Sequence, residues 1–153
     1  MLKRILSLSF VPSSTDAGLL ALRVCAFISL FLKHGYEKVF TFSQMASHFR
    51  DVLHFGATGS LIMAMFSDSI CSLLIVVGLA TRLAAFYSFL LIFIAWSVVH
   101  RFMFFGHGAD HGEVMWLYLS ALITIFIAGP GRYSLDYLLN KEGVFNREPV
   151  LQN

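Results

Sequence analysis

The sequence predicts an all-α membrane protein, a four-helix bundle with an additional amphipathic interfacial helix between spans 1 and 2. Of its 153 residues, 58% are hydrophobic and 13% are charged, whereas a soluble domain carries about 25% charged residues. The apolar residues form four runs, each close to the roughly 20 residues that a helix needs to cross the hydrocarbon core. The length fits one domain, so we expect a single membrane domain over residues 1–153.

The first span is predicted at about 17–36, after a group of Ser, Thr and Asp residues that can cap a helix. Arg23 lies inside this apolar run, where its charge needs a partner or must reach the headgroups by snorkelling. Helical spacing also puts several residues on the face of Arg23. They are Phe27, Leu30, His34 and Glu37.

The longest connection, at about 41–55, mixes aromatic and charged residues. Its apolar residues keep a helical period, which predicts an amphipathic helix lying in the membrane plane; the alternative is a partly ordered loop. These apolar residues are Phe42, Met45, Phe49, Val52 and Phe55.

The second and third spans are predicted at about 60–80 and 82–104, joined by a tight turn. Gly78 can relax the end of one helix and Thr81 can cap the start of the next. The second span contains Asp68, and an ionisable residue inside an apolar run is a candidate functional residue by default.

Aromatic residues recur at helical spacing in the third span and lead to His100. They are Phe86, Phe89, Phe93 and Trp96. Two interpretations stay open: ordinary packing between helices, or a wall for a flat hydrophobic ligand. The fourth span is predicted at 112–128, where Gly129 and Pro130 end it, and a polar C-terminal tail covers 139–153.

Four spans place both termini on one side of the membrane. That side holds six Lys and Arg residues against four on the other, so the positive-inside rule predicts cytoplasmic termini. The six are Lys3, Arg4, Arg82, Arg132, Lys141 and Arg147, and the four are Lys33, Lys38, Arg50 and Arg101. The net charge of +2 and the scatter of these residues argue against a nucleic-acid partner.

Three stretches resemble the DoxX family over about residues 17–138. Arg23 followed by HGYEK at 34–38 is similar to the family's first span, and Asp68, Gly78 and Thr81-Arg82 are similar to its second turn, with Asp68 in place of the usual Glu. GPGRYSLD at 129–136 is similar to the family's ending. The resemblance implies a bacterial or archaeal inner-membrane protein with four spans, linked to quinone-coupled sulfur oxidation or to redox stress.

The candidate ligand-binding residues are predicted to converge because antiparallel helices bring their ends together. They are Arg23, His34, Lys38, Asp68, Trp96, His100 and Glu113. We expect Arg23 and Asp68 to share one polar network. A quinone is the cofactor that this pattern and the resemblance suggest. A metal is disfavoured, since His107, His111 and Glu113 form only a weak two-His-one-carboxylate set.

No nucleophile motif, phosphate-binding loop or dinucleotide fingerprint is present, so a self-contained enzyme is disfavoured. Three functions remain open. The chain could be a membrane subunit of a quinone-linked oxidoreductase, with a soluble or membrane redox partner. It could be a non-catalytic membrane anchor or assembly partner, or a small transporter-like bundle that works as a homo-oligomer.

Overall fold

The computed structural model describes residues 14–52, 54–104 and 112–141, and this part of the chain is helical without a strand. Its helices, in chain order, are α1 (Thr15–Phe40), α2 (Phe42–Met45), α3 (Ala57–Val77), α4 (Thr81–Val99), α5 (Gly112–Ala128) and α6 (Leu135–Lys141). Helices α1, α3 and α4 are long and apolar enough to cross a membrane, and α5 is a shorter apolar helix. The described fold is therefore a helical membrane bundle, as the sequence predicts.

The core is shared by the four apolar helices. Phe27 of α1, Ile75 of α3, Ala85 of α4 and Leu122 of α5 are fully buried in one cluster. Large apolar side chains also cover the outside, and Ile127 for example is 71% exposed. An apolar exterior around a packed interior is what lipid contact requires, since lipid tails solvate such side chains as well as a core does.

The two ends of the bundle are named after one residue at each. At the "Asp136 end", α1 and α4 begin, α3 and α5 end, and α6 follows. At the "Lys38 end", α1 and α4 end while α3 and α5 begin.

Helix boundaries differ from the predicted spans mainly at the Lys38 end. Helix α1 continues to Phe40 rather than to 36, and α4 stops at Val99 rather than at 104. The early stop follows from the backbone, because Arg101 and Phe102 adopt left-handed φ values of 48° and 55°. The in-plane helix predicted at 41–55 is also shorter, since α2, Phe42–Met45, is the only helix among the described residues of that range.

Each of the three long helices contains a π-helical turn: Phe31–Gly35 in α1, Phe66–Cys71 in α3 and Ala95–Val99 in α4. A π turn widens the helix and changes which residues share a face, and such turns are frequent at functional sites. The π turns of α1 and α3 pack against each other. The contact places two of the predicted site residues side by side.

Candidate functional site

The candidate site at the Lys38 end is an ion pair inside the bundle. Lys38 Nζ lies 2.8 Å from Asp68 Oδ2, and the two side chains are 13% and 14% exposed. Lys38 Nζ also donates a hydrogen bond to the backbone carbonyl of His34 at 3.3 Å. Because Asp68 lies near the middle of α3, its charge would cost roughly 2.5–3.5 kcal/mol at the bilayer centre without a partner. The ammonium of Lys38 offsets that cost.

Close packing of the two π turns brings this pair together. Gly35 has no side chain, and a Cβ added there would overlap the backbone carbonyl oxygen of Asp68. Ser69 Oγ donates to the Gly35 carbonyl at 3.2 Å, which fixes the helices in register. The π turn in α1 also changes which residues face α3. Lys38 bonds to Asp68 there, whereas Glu37, which helical spacing puts on the face of Arg23, is exposed.

His34 adds a third titratable group to the site. Its side chain is half-buried, and the charges of Lys38 and Asp68 are close enough to act on it. The arrangement therefore holds an ammonium donor, a carboxylate and an imidazole at one place between α1 and α3. Such a set can donate a hydrogen bond to a carbonyl oxygen and can hold or release a proton.

A second polar cluster closes the Asp136 end, and Arg23 lies at its centre. Arg23 is fully buried. Its Nη2 donates to the carbonyl of Tyr133, and its Nη1 donates to the carbonyl of Ile75 at 3.5 Å. Asp136 is near enough to attract the guanidinium electrostatically. Arg23 therefore ties α1 to the end of α3 and to the segment before α6.

Asp136 caps the start of α4 from a distant part of the chain. Its Oδ1 accepts from the Ala80 amide at 2.7 Å, and its Oδ2 accepts from the amide and hydroxyl of Thr81 at 2.9 and 2.7 Å. The Asp136 amide in turn donates to the Gly78 carbonyl at 2.8 Å. The predicted cap by Thr81 is therefore wrong, since Thr81 is capped rather than capping.

Glycine is required at position 78 for two reasons. Its φ of 78° is the left-handed value that ends α3, as the sequence predicts, and a side chain there would overlap the guanidinium of Arg23.

The family of the chain follows from comparison with known proteins. The model of the DoxX family matches residues 18–101, more than half of the chain. The chain belongs to the DoxX family. Searches of curated proteins and of solved structures found no match. The family match includes Arg23, Lys38, Asp68, Gly78 and Thr81, whereas the GPGRYSLD stretch at 129–136 lies outside it.

In this DoxX protein, Arg23 and Asp68 do not share one network, which corrects the prediction made from their positions in the apolar runs. Arg23 bonds to Ile75 and Tyr133 at the Asp136 end, whereas Asp68 bonds to Lys38 across the π turns. The reason is direction: α1 and α3 are antiparallel, and Arg23 lies in the other half of α1 from Lys38. Of the two, only Asp68 belongs to the candidate site.

The aromatic residues of the DoxX α4 helix make contacts away from the ion pair. Trp96 packs edge-on against Phe102 and lies 5.9 Å, between ring centroids, from Trp116 of α5. Its indole N–H donates to the Met103 carbonyl at 3.4 Å. Phe86 packs against Phe126 of α5 at 6.0 Å. Phe86 and Trp96 therefore pack α4 against α5, whereas Phe89 and Phe93 stack on each other along α4.

The remaining candidates lie at the rim of the Lys38 end. His100 is half-buried at the end of α4 and Glu113 is exposed in the first turn of α5. His107 and His111, the weak metal candidates, lie outside the described residues. Within the described ranges no group of three His, Cys, Asp or Glu side chains is placed to hold a metal ion.

Proposed function

We propose that this DoxX protein is a membrane subunit of a quinone-linked redox system, active in sulfur oxidation or redox stress. The observation that carries the proposal is the Lys38–Asp68 ion pair, held at 2.8 Å beside the contact between the π turns of α1 and α3 at the Lys38 end. Ionisable residues inside membrane helices are expensive and commonly mark ligand or proton sites. The pair is also incompletely enclosed, with 13% and 14% of the two side chains exposed, so a ligand can reach it.

The residues fit one carbonyl end of a quinone-like ligand. The ammonium of Lys38 has three N–H donors, and two of them bond to Asp68 and to the His34 carbonyl in the described structure. The third N–H, or the one that makes the longer bond to His34 at 3.3 Å, can donate to the ligand oxygen. Reduction of a quinone takes up two electrons and two protons, and a redox partner would supply the electrons. His34 and Asp68 are the groups placed to hold a proton.

The same proposal places the protein in a bacterial or archaeal inner membrane with cytoplasmic termini. Six basic residues on the side of the termini against four on the other support this orientation. The Lys38 end would then face outward, and a soluble or membrane redox partner, or a second copy of the chain, would dock there.

Binding can be tested by titrating a short-tailed benzoquinone into the protein in lipid nanodiscs and measuring heat, with empty nanodiscs subtracted. The wild type should show saturable binding. A double variant, Lys38→Met with Asp68→Met, removes both charges so that neither is left buried without a partner. Loss of a charge-assisted hydrogen bond is worth about 1.5–3 kcal/mol, so we expect at least roughly tenfold weaker binding.

The matched control is Lys33→Met, an exposed lysine in the π turn of α1, one turn before Lys38. It should bind as the wild type does. Heat that does not saturate, or that is equal in all three proteins, would mean that the quinone only partitions into lipid, and the proposal would fail.

A non-catalytic anchor or assembly partner is the second candidate, and the Asp136 end favours it. There both Nη atoms of Arg23 bond to backbone carbonyls and the carboxylate of Asp136 bonds to Thr81, which is how a structural module uses its polar residues. Native mass spectrometry of the protein in mild detergent separates the candidates. A retained partner protein without quinone, together with no quinone binding in nanodiscs, would favour the anchor.

A further inference from the structure

A small cavity lies at the Lys38 end, on the side of α3 that faces α4. Its volume is about 140 Å³. The walls come from α3, from the last turns of α4, and from the connection that follows α2. The lining side chains are Phe49, Val52, Ala64, Leu91, Ile94, Ala95 and Val99, with Arg50 and Ser60 as the polar members. Neither Lys38 nor Asp68 lines it, so this cavity is separate from the ion pair.

Arg50 is the polar side chain at the mouth of the cavity that has hydrogen-bond donors to offer a ligand. The side chain is exposed, and its Nη1 donates to the Val99 carbonyl at 3.4 Å. Among the described residues this is its one hydrogen bond, so the other N–H donors of the guanidinium have no partner in that part of the chain. The hydroxyl of Ser60, in contrast, is already hydrogen-bonded within the protein. It donates to Asp51 Oδ1 at 2.9 Å and accepts from the Val52 amide at 3.3 Å.

The neighbouring carboxylate, Asp51, does not neutralise Arg50. Its two oxygens accept from Ser60 Oγ at 2.9 Å and from the Gly56 amide at 3.0 Å, so they are turned to the connection before α3. Partial removal from water acts to raise the pKa of Asp51, but these hydrogen bonds and one from the Phe55 amide hold the pKa below its ordinary value. Asp51 is therefore an ionised structural group, and Arg50 keeps its charge for another partner.

The volume indicates what fits inside. At about 140 Å³, the cavity is close to the engineered apolar cavity of about 150 Å³ that stays dry and binds benzene. One ring fits, whereas a long acyl chain does not. Apolar walls with a single convergent polar group are the usual composition of a small-molecule site.

We infer that this cavity binds a small aryl anion, a single aromatic ring whose carboxylate or phenolate pairs with Arg50 at the membrane surface. The ring enters between α3 and α4 beneath Phe49 and Val52. The anionic substituent stays at the mouth, where the guanidinium can donate two parallel hydrogen bonds to a carboxylate. This site goes beyond the quinone-type site at the ion pair and does not depend on it.

The inference can be tested by fluorine NMR with para-fluorobenzoate and the uncharged para-fluorobenzamide as probes, in nanodiscs of zwitterionic lipid with empty nanodiscs subtracted. The wild type should bind benzoate saturably and about fivefold more tightly than benzamide, as expected for an exposed charge pair of about 1 kcal/mol. Arg50→Gln should remove that preference, and Arg50→Lys should keep it. The matched control is Arg82→Gln, an exposed arginine at the Asp136 end, which should change nothing.

Location is tested separately. Ala64→Leu fills the cavity and should abolish binding of both probes. Because that variant can also disturb packing, contacts in the wild type are measured as well: the bound probe should show fluorine–proton Overhauser effects to methyl groups of Val52, Leu91 and Ile94. Absent Overhauser effects, or lipid methyls that occupy the cavity and are not displaced by benzoate, would overturn the inference. Equal affinity for the two probes in the wild type would overturn the anionic class.

Discussion

Replacing Asp136 by alanine should destabilise the bundle more than any surface charge change. Three donors lose their acceptor at once: the Ala80 amide, the Thr81 amide and the Thr81 hydroxyl. Thr81 is fully buried, so water cannot replace the carboxylate there, whereas Ala80 is exposed and can be hydrated. Arg23 loses its nearby negative charge as well.

The size of the effect follows from these contacts. Loss of a helix cap costs about 1 kcal/mol, and each buried donor left without a partner costs about 1–3 kcal/mol. Because the cap already includes the Thr81 amide, only the two buried donors of Thr81 are counted, at the lower bound, and Asp136→Ala should lower the free energy of unfolding by about 2 kcal/mol. For a protein of about this size, 1 kcal/mol corresponds to roughly 2–4 °C, so the melting temperature should fall by about 4–8 °C.

The assay is thermal unfolding in detergent, followed by the loss of monodisperse protein in size-exclusion chromatography. Asp16→Ala is the contrasting variant at the same end, because Asp16 pairs at 3.6 Å with Arg132, whose side chain is 74% exposed. An exposed pair is worth at most about 1 kcal/mol. If Asp136→Ala melts no lower than Asp16→Ala, the capping role assigned to Asp136 is wrong.

Three further predictions concern single positions. Gly78→Ala should abolish folded yield in size-exclusion chromatography, because a left-handed alanine costs about 1–2 kcal/mol and its Cβ overlaps Arg23; normal yield would contradict this. Gly35→Ala should lower the melting temperature by forcing α1 from α3, whereas Gly18→Ala, where an added Cβ meets nothing within 4 Å, should not. Because the folded-state pKa of Asp51 is depressed, its stabilising contacts should persist at neutral pH and be lost only as pH falls below 3.8; an NMR midpoint above 3.8 would refute this.

Local features of the sequence predicted the spans and their ends. Apolar runs located α1, α3, α4 and α5 to within a few residues because lipid-facing helices must be apolar over their whole length. Glycine marked the left-handed ends at Gly78 and Gly129, with φ values of 78° and 81°, because only glycine takes that conformation without strain. The charge of Asp68 inside an apolar run is what makes it a candidate site residue in the sequence.

The partners of these residues could not be predicted in the same way. Tyr133 lies 110 positions from Arg23, and Asp136 lies 55 positions from Thr81, so no local pattern connects them. The π turns interrupt the 3.6-residue period, and residues after a π turn therefore lie on a different face from the one that the period predicts. For that reason helical spacing puts Glu37 on the face of Arg23, whereas in the structure Glu37 is exposed and Lys38 is the residue that bonds to Asp68. Gly35 is the one residue in the sequence that could have indicated the close contact between α1 and α3, because a glycine lets two helices approach closely.

The charged residues have different roles at the two ends of the bundle. Family membership therefore indicates the fold more directly than it indicates the function. At the Asp136 end, Arg23 and Asp136 bond to backbone and to each other's neighbours, so the residues that resemble the family there encode the fold. At the Lys38 end, the pair of Lys38 and Asp68 is bonded but incompletely enclosed, and a ligand can compete for its donors. Function should therefore be sought by varying the Lys38 end while the Asp136 end is kept intact, because changes at the Asp136 end would report only unfolding.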